Sequence, residues 1–160
     1  MKPVTESQFD PIEACKDPTY LTKRTTEAKS FSDLHMEIDD IHFVQALHLK
    51  GALGEKVDSA LLKKALADDR SKQIEVLFYL SRVGMPELAE EVITLITDEL
   101  KNSDPDIEIL YWSIIALAKT KTPQAKLYLK GLIGVQNQNE ILRTNSLLGS
   151  ALSQVRAFAL

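Results

Sequence analysis

Residues 104–119 read DPDIEILYWSIIALAK, and this stretch decides the fold of the chain. Asp106 stands where a helix would begin, and the residues after it place Ile, Leu, Trp and Ala on nearly every side of a helical wheel. A helix that is apolar nearly all round has to be covered by other elements over most of its surface. We therefore predict a helix from about Asp106 to Lys119 that is central in the molecule.

Apolar stripes at helical spacing continue on both sides of this segment. They indicate six further helices. One follows Asp39–Asp40, two have apolar stripes whose first members are Val57 and Ile74, and three open at Pro86, at Pro123 and near Asn139. Gly51 and Gly54 separate the first two stripes, and a polar loop is expected from Gly134 to Gln138. No segment shows the alternation of a strand flanked by hairpin turns, so we predict an all-α chain.

The helical segments repeat along the chain. Residues 74–79 read IEVLFY, and residues 107–112, 33 positions later, read IEILYW. The helices that follow also match, with Pro86 and Pro123 at corresponding places 37 positions apart. A period of this length is typical of paired antiparallel helices, in which each pair stacks on the next and shares a continuous core.

The clearest unit resembles the short HEAT-like repeats of the phycobilisome-lyase type. It has an acidic-Pro start at Asp104–Asp106, Ala116-Leu117 before a tight turn, Pro123 at the second helix and Leu132-Ile133 near its end. The resemblance covers about 120 of the 160 residues. It implies a HEAT-like α-solenoid of antiparallel helix pairs over residues 36–160, and it implies a fold rather than an activity. Tetratricopeptide repeats have a similar period, but their signature positions are not met.

The first 35 residues differ from the rest of the chain. They contain Pro3, Pro11 and Pro18, and their apolar residues follow no sustained period. Because each proline disfavours a helix at the residue before it, we expect a partly irregular, extended N-terminal arm over residues 1–35. The arm is either a flexible tail or a segment that docks its aromatic side chains on the body or on a partner.

Composition restricts the compartment and the class of partner. The 160 residues carry a net charge of −4 with a pI near 5.4, which disfavours a nucleic-acid binder that relies on bulk positive charge. No apolar run reaches the roughly 18–20 residues of a membrane helix, and residues 1–18 lack the apolar core of a secretory signal. Cys15 is the single cysteine, so no internal disulfide can form. We expect a cytoplasmic protein with no membrane partner.

The chain shows no pattern of catalytic or metal-binding residues. His42 and His48 are six positions apart, on different faces of one predicted helix, whereas a zinc pair favours a spacing of four. Some HEAT-repeat proteins are di-iron hydroxylases with His-Glu dipeptides, but His35, His42 and His48 are followed by Met, Phe and Leu. Nucleotide-binding and hydrolase motifs are missing, and most paired carboxylates lie at expected helix ends, where they serve as caps. We predict no catalytic residue, no cofactor and no metal.

One surface of the predicted repeats combines charge with aromatic residues. In the family that the chain resembles, the second helix of each pair lines the concave face. The polar side of the helix over residues 86–101 is acidic. When Pro123 is aligned with Pro86, Leu127 and Tyr128 fall at the positions of Glu90 and Glu91. Tyrosine near charge is a residue type that anchors interfaces, although a solvated face with a packed tyrosine is the plainer alternative. The candidate protein-binding residues are Glu87, Glu90, Glu91, Asp98, Leu127 and Tyr128.

These observations favour a protein-interaction module over an enzyme. We predict a small adaptor, chaperone-like factor or toxin-neutralising immunity protein, and the acidic charge of residues 71–102 fits a basic protein partner. One alternative is a subunit of a chromophore-lyase-like enzyme, because such lyases also use HEAT-like repeats. A second alternative is a HEAT-like nucleic-acid enzyme, which is disfavoured because the basic residues form no continuous track for phosphates.

Overall fold

Helices make up the fold in the part of the chain that the structure describes. The structure is a computed structural model that describes residues 40–160, with side chains from residue 43 onward. Its α-helices are α1 (Asp40–Leu53), α2 (Ser59–Leu66), α3 (Arg70–Arg82), α4 (Ala89–Lys101), α5 (Ile107–Lys119), α6 (Pro123–Val135), α7 (Glu140–Thr144) and α8 (Ser146–Ala159). A 3₁₀ turn at Pro86–Leu88 leads into α4, and another at Gln136–Gln138 follows α6. Residues 40–160 contain no strand, which confirms the predicted all-α class; the predicted arm over residues 1–35 lies outside this range.

Short polar side chains fix where the helices begin. Asp69, before α3, accepts a hydrogen bond from the Lys72 N–H at 3.0 Å, and Asp58, before α2, accepts one from the Ala60 N–H at 2.9 Å. The same role falls to Asp106 before α5, Thr122 before α6, Asn139 before α7 and Asn145 before α8. Each cap gives a partner to an N–H group that lacks one in the first turn of its helix. The predicted capping role of the paired carboxylates is thus confirmed at Asp69 and Asp106.

Two of the predicted helix boundaries are wrong. The seventh predicted helix, from near Asn139 onward, is split at Asn145, whose backbone is extended and whose side chain accepts a hydrogen bond from the Leu148 N–H at 3.1 Å. This cap ends α7 and begins α8. The predicted polar loop from Gly134 to Gln138 instead continues α6 through Val135 and then forms a 3₁₀ turn. Exposed polar residues are compatible with a helix end, so polarity alone does not mark a loop.

Gly51 and Gly54 have different roles near the end of α1. Gly54 has a φ of +69°, a left-handed conformation that glycine adopts without strain, and α1 ends one residue before it. Gly51 lies inside α1, where a Cβ would stand 3.4 Å from the Tyr79 ring, so α1 and α3 approach closely there. The Tyr79 hydroxyl donates to the Glu55 carbonyl oxygen at 2.5 Å, and burial raises the pKa of Tyr79 to about 12. The loop after α1 is thereby tied to α3.

The hydrophobic core is built around α5. This helix packs against α3, α4, α6 and α8, which confirms its predicted central position. Its side chains Leu110, Ile114 and Leu117 are fully buried. α3 also contacts α1 and α2, and α8 contacts α6. Helices α1, α3, α5 and α8 therefore follow one another in contact, and α2, α4 and α6 pack against members of this series.

Aromatic side chains link α1, α3 and α5 by ring contacts and link α5 to α8 by a hydrogen bond. The ring centroids of His48 and Phe78 are 5.9 Å apart. Phe78 and Trp112 pack edge-on, with their ring centroids 5.1 Å apart. Tyr111 is also edge-on to Trp112, at 5.0 Å, and its hydroxyl accepts a hydrogen bond from Gln154 Nε2 at 3.2 Å. Edge-to-face ring pairs are favourable beyond the area that they bury. These contacts help to hold the four helices in their relative positions.

An ionic cluster ties the start of α3 to the start of α5. Arg70 pairs with Asp106 and donates from Nη2 to Glu108 Oε2 at 2.7 Å. The Asp106 N–H donates to Glu99 Oε1 at 2.7 Å, which brings the last turn of α4 into the cluster. Burial by itself would raise the pKa of Asp106, but hydrogen bonds from Arg70 and from the Ile109 and Glu108 N–H groups outweigh burial and lower that pKa.

Candidate protein-binding groove

A groove lies between α2 and α4, beside the first turn of α3. Its cavity measures about 440 Å³, which is within the size range of ligand-binding pockets. The residues that line it come from these three helices and from the position directly after α2: Lys63, Leu66, Ala67, Gln73, Glu90, Glu91, Thr94, Leu95 and Asp98. We call it the α2–α4 groove. It is the candidate functional site because predicted binding residues meet there.

The α4 wall of the groove carries its negative charge. Glu90, Thr94 and Asp98 are exposed and four residues apart, which places them in line on one face of the helix. Glu91 and Leu95 lie beside this line and also face the groove. The Thr94 hydroxyl donates to the Glu90 carbonyl oxygen at 3.0 Å, so its proton is used within the helix. The carboxylates of the predicted residues Glu90, Glu91 and Asp98 are therefore brought together as the charged groups of this wall.

The floor of the groove is largely aliphatic. Leu66 is buried and Leu95 is half-buried, and both contribute to the lining. Gln73 Nε2 donates to the Leu66 carbonyl oxygen at 2.9 Å, so this amide holds the end of α2 against α3. A ligand in the groove would therefore meet aliphatic surface next to carboxylates. This combination supports binding through both apolar contact and charge.

One ion pair crosses the groove. Lys63 Nζ, from α2, lies 3.3 Å from Glu91 Oε1. The other carboxylate oxygen, Glu91 Oε2, is buried and has no hydrogen-bond partner in the part of the chain that the structure describes. A buried oxygen without a partner costs free energy. The groove lining carries three carboxylates against one ammonium group, so the groove is acidic even with this pair formed.

The other predicted binding residues do not line the groove. Glu87 is exposed in the 3₁₀ turn before α4, and Leu127 is 74% exposed on α6. Tyr128 is half-buried, its hydroxyl shares a hydrogen bond with the Thr97 hydroxyl at 2.8 Å, and burial raises its pKa. A binding role for these three residues stays a prediction. The structure places Tyr128 against α4 rather than beside the carboxylates of the groove.

The sequence pattern does not mark Lys63, Leu66 or Gln73 as site residues. They come from α2 and α3, and their meeting with α4 depends on how the helices stack. The pattern within one helix contains no such information. Leu95 is different, because it follows Glu91 by four residues and its place beside the acidic line could have been found from helical spacing.

Metal binding finds no support in the described residues. No group of three or more His, Cys, Asp or Glu residues in that range could hold a metal ion. His48 Nε2 lies 3.1 Å from Glu75 Oε2, and the His48 ring packs against Phe78. The side chains of His35 and His42 lie outside the described residues, as does Cys15. Among the helices of residues 40–160, none is both long and apolar enough to cross a membrane.

Comparison with known proteins does not place the chain in a family. No protein-family model matches it. No curated protein and no solved structure matches it either. The functional interpretation therefore follows from the residues and the geometry of the α2–α4 groove.

Proposed function

We propose that this protein is a non-enzymatic protein-interaction module that binds a basic segment of a partner protein in the α2–α4 groove. The observation that carries the proposal is the convergence of Glu90, Glu91 and Asp98 on one wall of a cavity with an aliphatic floor. Carboxylates attract and orient a basic partner, and buried aliphatic surface adds affinity. An adaptor, a chaperone-like factor or a toxin-neutralising immunity protein of the cytoplasm would bind a partner in this way.

The length of the acidic wall suggests the length of the bound segment. Glu90 and Asp98 are eight positions apart on α4, which corresponds to about 12 Å along a helix. An extended chain covers this distance in about four residues, and side chains four residues apart point to the same side of it. The proposed ligand is therefore a short extended segment in which two basic side chains, four residues apart, meet Glu90 and Asp98.

The proposal includes a HEAT-like α-solenoid of antiparallel helix pairs over residues 36–160. In a solenoid each repeat contacts its neighbours, and the contacts of α1 with α3, α3 with α5 and α5 with α8 support such a succession. The edge-on contact between Phe78 and Trp112 provides further support. It joins α3 to α5, the two helices that carry the matching segments IEVLFY and IEILYW of the sequence repeat.

Site-specific photo-crosslinking tests the proposed function. p-Benzoylphenylalanine is introduced at position 94, on the exposed wall of the groove, and in a second protein at position 153, an exposed position on α8. In lysate of the source organism, we expect position 94 to crosslink to one protein through a Lys- or Arg-rich segment. The substitutions Glu90→Lys and Asp98→Lys, combined in the position-94 protein, should abolish that crosslink, because they reverse the charge of the wall.

The control position separates binding in the groove from general adhesion. If positions 94 and 153 capture the same proteins, the groove is not the binding site. If position 94 captures a partner through an acidic or neutral segment, or still captures it after charge reversal, the proposed role of the carboxylates is wrong.

A further inference from the structure

Lys63 is the cation among the residues that line the α2–α4 groove, and it is loosely held. Its Nζ lies 3.3 Å from Glu91 Oε1, whereas a strong bond between an ammonium and a carboxylate measures roughly 2.7–2.9 Å. The Lys63 side chain is 47% exposed, and ion pairs at exposed positions are weak. Lys63 can therefore leave Glu91 at little cost.

Glu91 is only partly satisfied by this contact. Its Oε2 is buried and has no hydrogen-bond partner within the described part of the chain. A carboxylate accepts hydrogen bonds at both oxygens, so one ammonium at Oε1 leaves acceptor capacity unused. If the carboxylate turns toward the groove, a ligand can donate hydrogen bonds to both of its oxygens. Such a ligand would satisfy Glu91 better than Lys63 does.

We infer that Lys63 occupies the site at Glu91 that an arginine of the partner segment takes when the partner binds. The arginine displaces Lys63 and pairs with both carboxylate oxygens of Glu91. The inference rests on the proposed function, because it requires that the groove binds a basic segment. Arginine presents a planar fork of donors that matches a carboxylate, whereas lysine presents a point charge. The methylene stem of the arginine would lie along Leu66 and Leu95 on the groove floor.

Lys63 therefore competes with the arginine of the ligand for Glu91. Substitutions of two adjacent lysines, Lys63 and Lys64, test this role. Lys63→Met and Lys64→Met remove the same charge from neighbouring exposed positions of α2. Lys64 lines a different cavity, beside Phe43 and Leu61, so its removal leaves the Lys63–Glu91 pair in place. Methionine is a good helix former, and both variants are expected to fold.

The probe is N-acetylarginine amide, titrated into the full chain while amide NMR spectra are recorded. We expect saturable shifts at the groove residues and about three-fold tighter binding to Lys63→Met, a size that matches the weak ion pair removed. Lys64→Met should change the affinity by a factor of less than about 1.5, because the charge it removes lies outside the groove. N-acetyllysine amide should bind more weakly than the arginine probe, and the neutral N-acetylcitrulline amide should give no saturable shift.

Three results would overturn the inference. The first is equal tightening in the two lysine variants, which would indicate a long-range charge effect. The second is equal binding of the arginine probe and either of its analogues. The third is the absence of saturable shifts in Lys63→Met, where Glu91 is free. In each case the crosslink from position 94 still decides the proposed function, because that experiment does not depend on which basic residue the partner carries.

Discussion

Gly84, in the connection after α3, passes close to the C-terminal end of α5. A Cβ at this position would overlap the Lys119 carbonyl oxygen and would lie 3.3 Å from the Lys119 carbonyl carbon. These are backbone atoms, which cannot move aside as the end of a flexible side chain can. We expect Gly84→Ala to lower the free energy of unfolding by about 1–3 kcal/mol in urea melts.

Gly131 offers the matched control for Gly84. It is exposed within α6, and a Cβ there would meet nothing within 4 Å. Because alanine favours a helix over glycine, Gly131→Ala should raise the free energy of unfolding by about 0.5–1 kcal/mol. The same sign of effect at both positions would contradict the close approach at Gly84.

Tyr128 connects α6 to α4 through its hydrogen bond with Thr97. Tyr128→Phe removes only the hydroxyl, so we expect the free energy of unfolding to fall by about 0.5–1.5 kcal/mol. Thr97→Val removes the partner hydroxyl with little change of shape. Urea melts of both single variants and of the double variant should show a coupled effect, because the two hydroxyls share one bond. Strictly additive effects would mean that the bond contributes nothing to stability.

The candidate site shows which residues the sequence can identify. Glu90, Glu91 and Asp98 follow from the spacing of carboxylates on one predicted helix, and the structure brings them together. Alignment of Pro123 with Pro86 predicts Tyr128 on the same surface, but its hydroxyl is hydrogen-bonded to Thr97 on α4. Helical periodicity fixes the face of a residue on its own helix. It does not determine which neighbouring side chain that face will contact.

At the scale of the element, the stability of α5 depends on its fully buried side chains. Leu110 and Ile114 are both 0% exposed. We expect Leu110→Ala and Ile114→Ala each to lower the free energy of unfolding by about 2–5 kcal/mol in urea melts, because each leaves a cavity in a packed core. Leu127→Ala is the control on α6, where the leucine is 74% exposed, and it should change stability by about 0.5 kcal/mol or less. Losses below about 1 kcal/mol at both α5 positions would mean that α5 is peripheral.

We expect the free energy of unfolding to depend on pH through Asp106, at the start of α5. Because the pKa of Asp106 is lowered in the folded protein, its ionised form contributes stability above the ordinary aspartate pKa of about 4. This contribution is lost as the pH falls through the lowered pKa. Asp106→Asn keeps a capping side chain but removes the charge that pairs with Arg70. In urea melts we expect a cost of about 0.5–1 kcal/mol at pH 7 that shrinks steadily below about pH 4.

Asp104→Asn is the control for the charge of Asp106. Asp104 is exposed two residues earlier, and its replacement removes the same charge. It should change stability by about 0.5 kcal/mol or less at pH 7. A cost of Asp106→Asn that stays constant from pH 7 to pH 3 would mean that the ion pair with Arg70 does not contribute.

The helices themselves were predictable where apolar pattern and capping residue agree. α5 combines a cap at Asp106 with an apolar run, and both its bounds and its central position follow from the sequence. The break between α7 and α8 does not, because the apolar stripe continues past Asn145. An asparagine can lie within a helix or begin one, and its local hydrogen bond to the Leu148 N–H decides the outcome here.

At the scale of the whole molecule, the groove exists only through the assembly of α2, α3 and α4. Lys63 and Glu91 are far apart in the sequence, and their contact depends on the way α2 packs beside α4. For this reason the acidic wall could be predicted, whereas the cation opposite it and the aliphatic floor could not. The assembled groove concentrates negative charge, and this concentration should be visible in the rate at which a basic partner associates.

The rate of association can be measured with the partner segment that the position-94 crosslink identifies. Glu90→Lys combined with Asp98→Lys should slow association about ten-fold at low salt and weaken its dependence on salt, because steering by the groove is lost. Both residues are exposed, so the melting temperature should stay near that of the wild type. Asp104→Lys combined with Glu140→Lys changes the net charge equally at exposed positions outside the groove. Stopped-flow measurements should show a much smaller effect for this second pair, and equal slowing by both pairs would mean that net charge, rather than the groove, steers the partner.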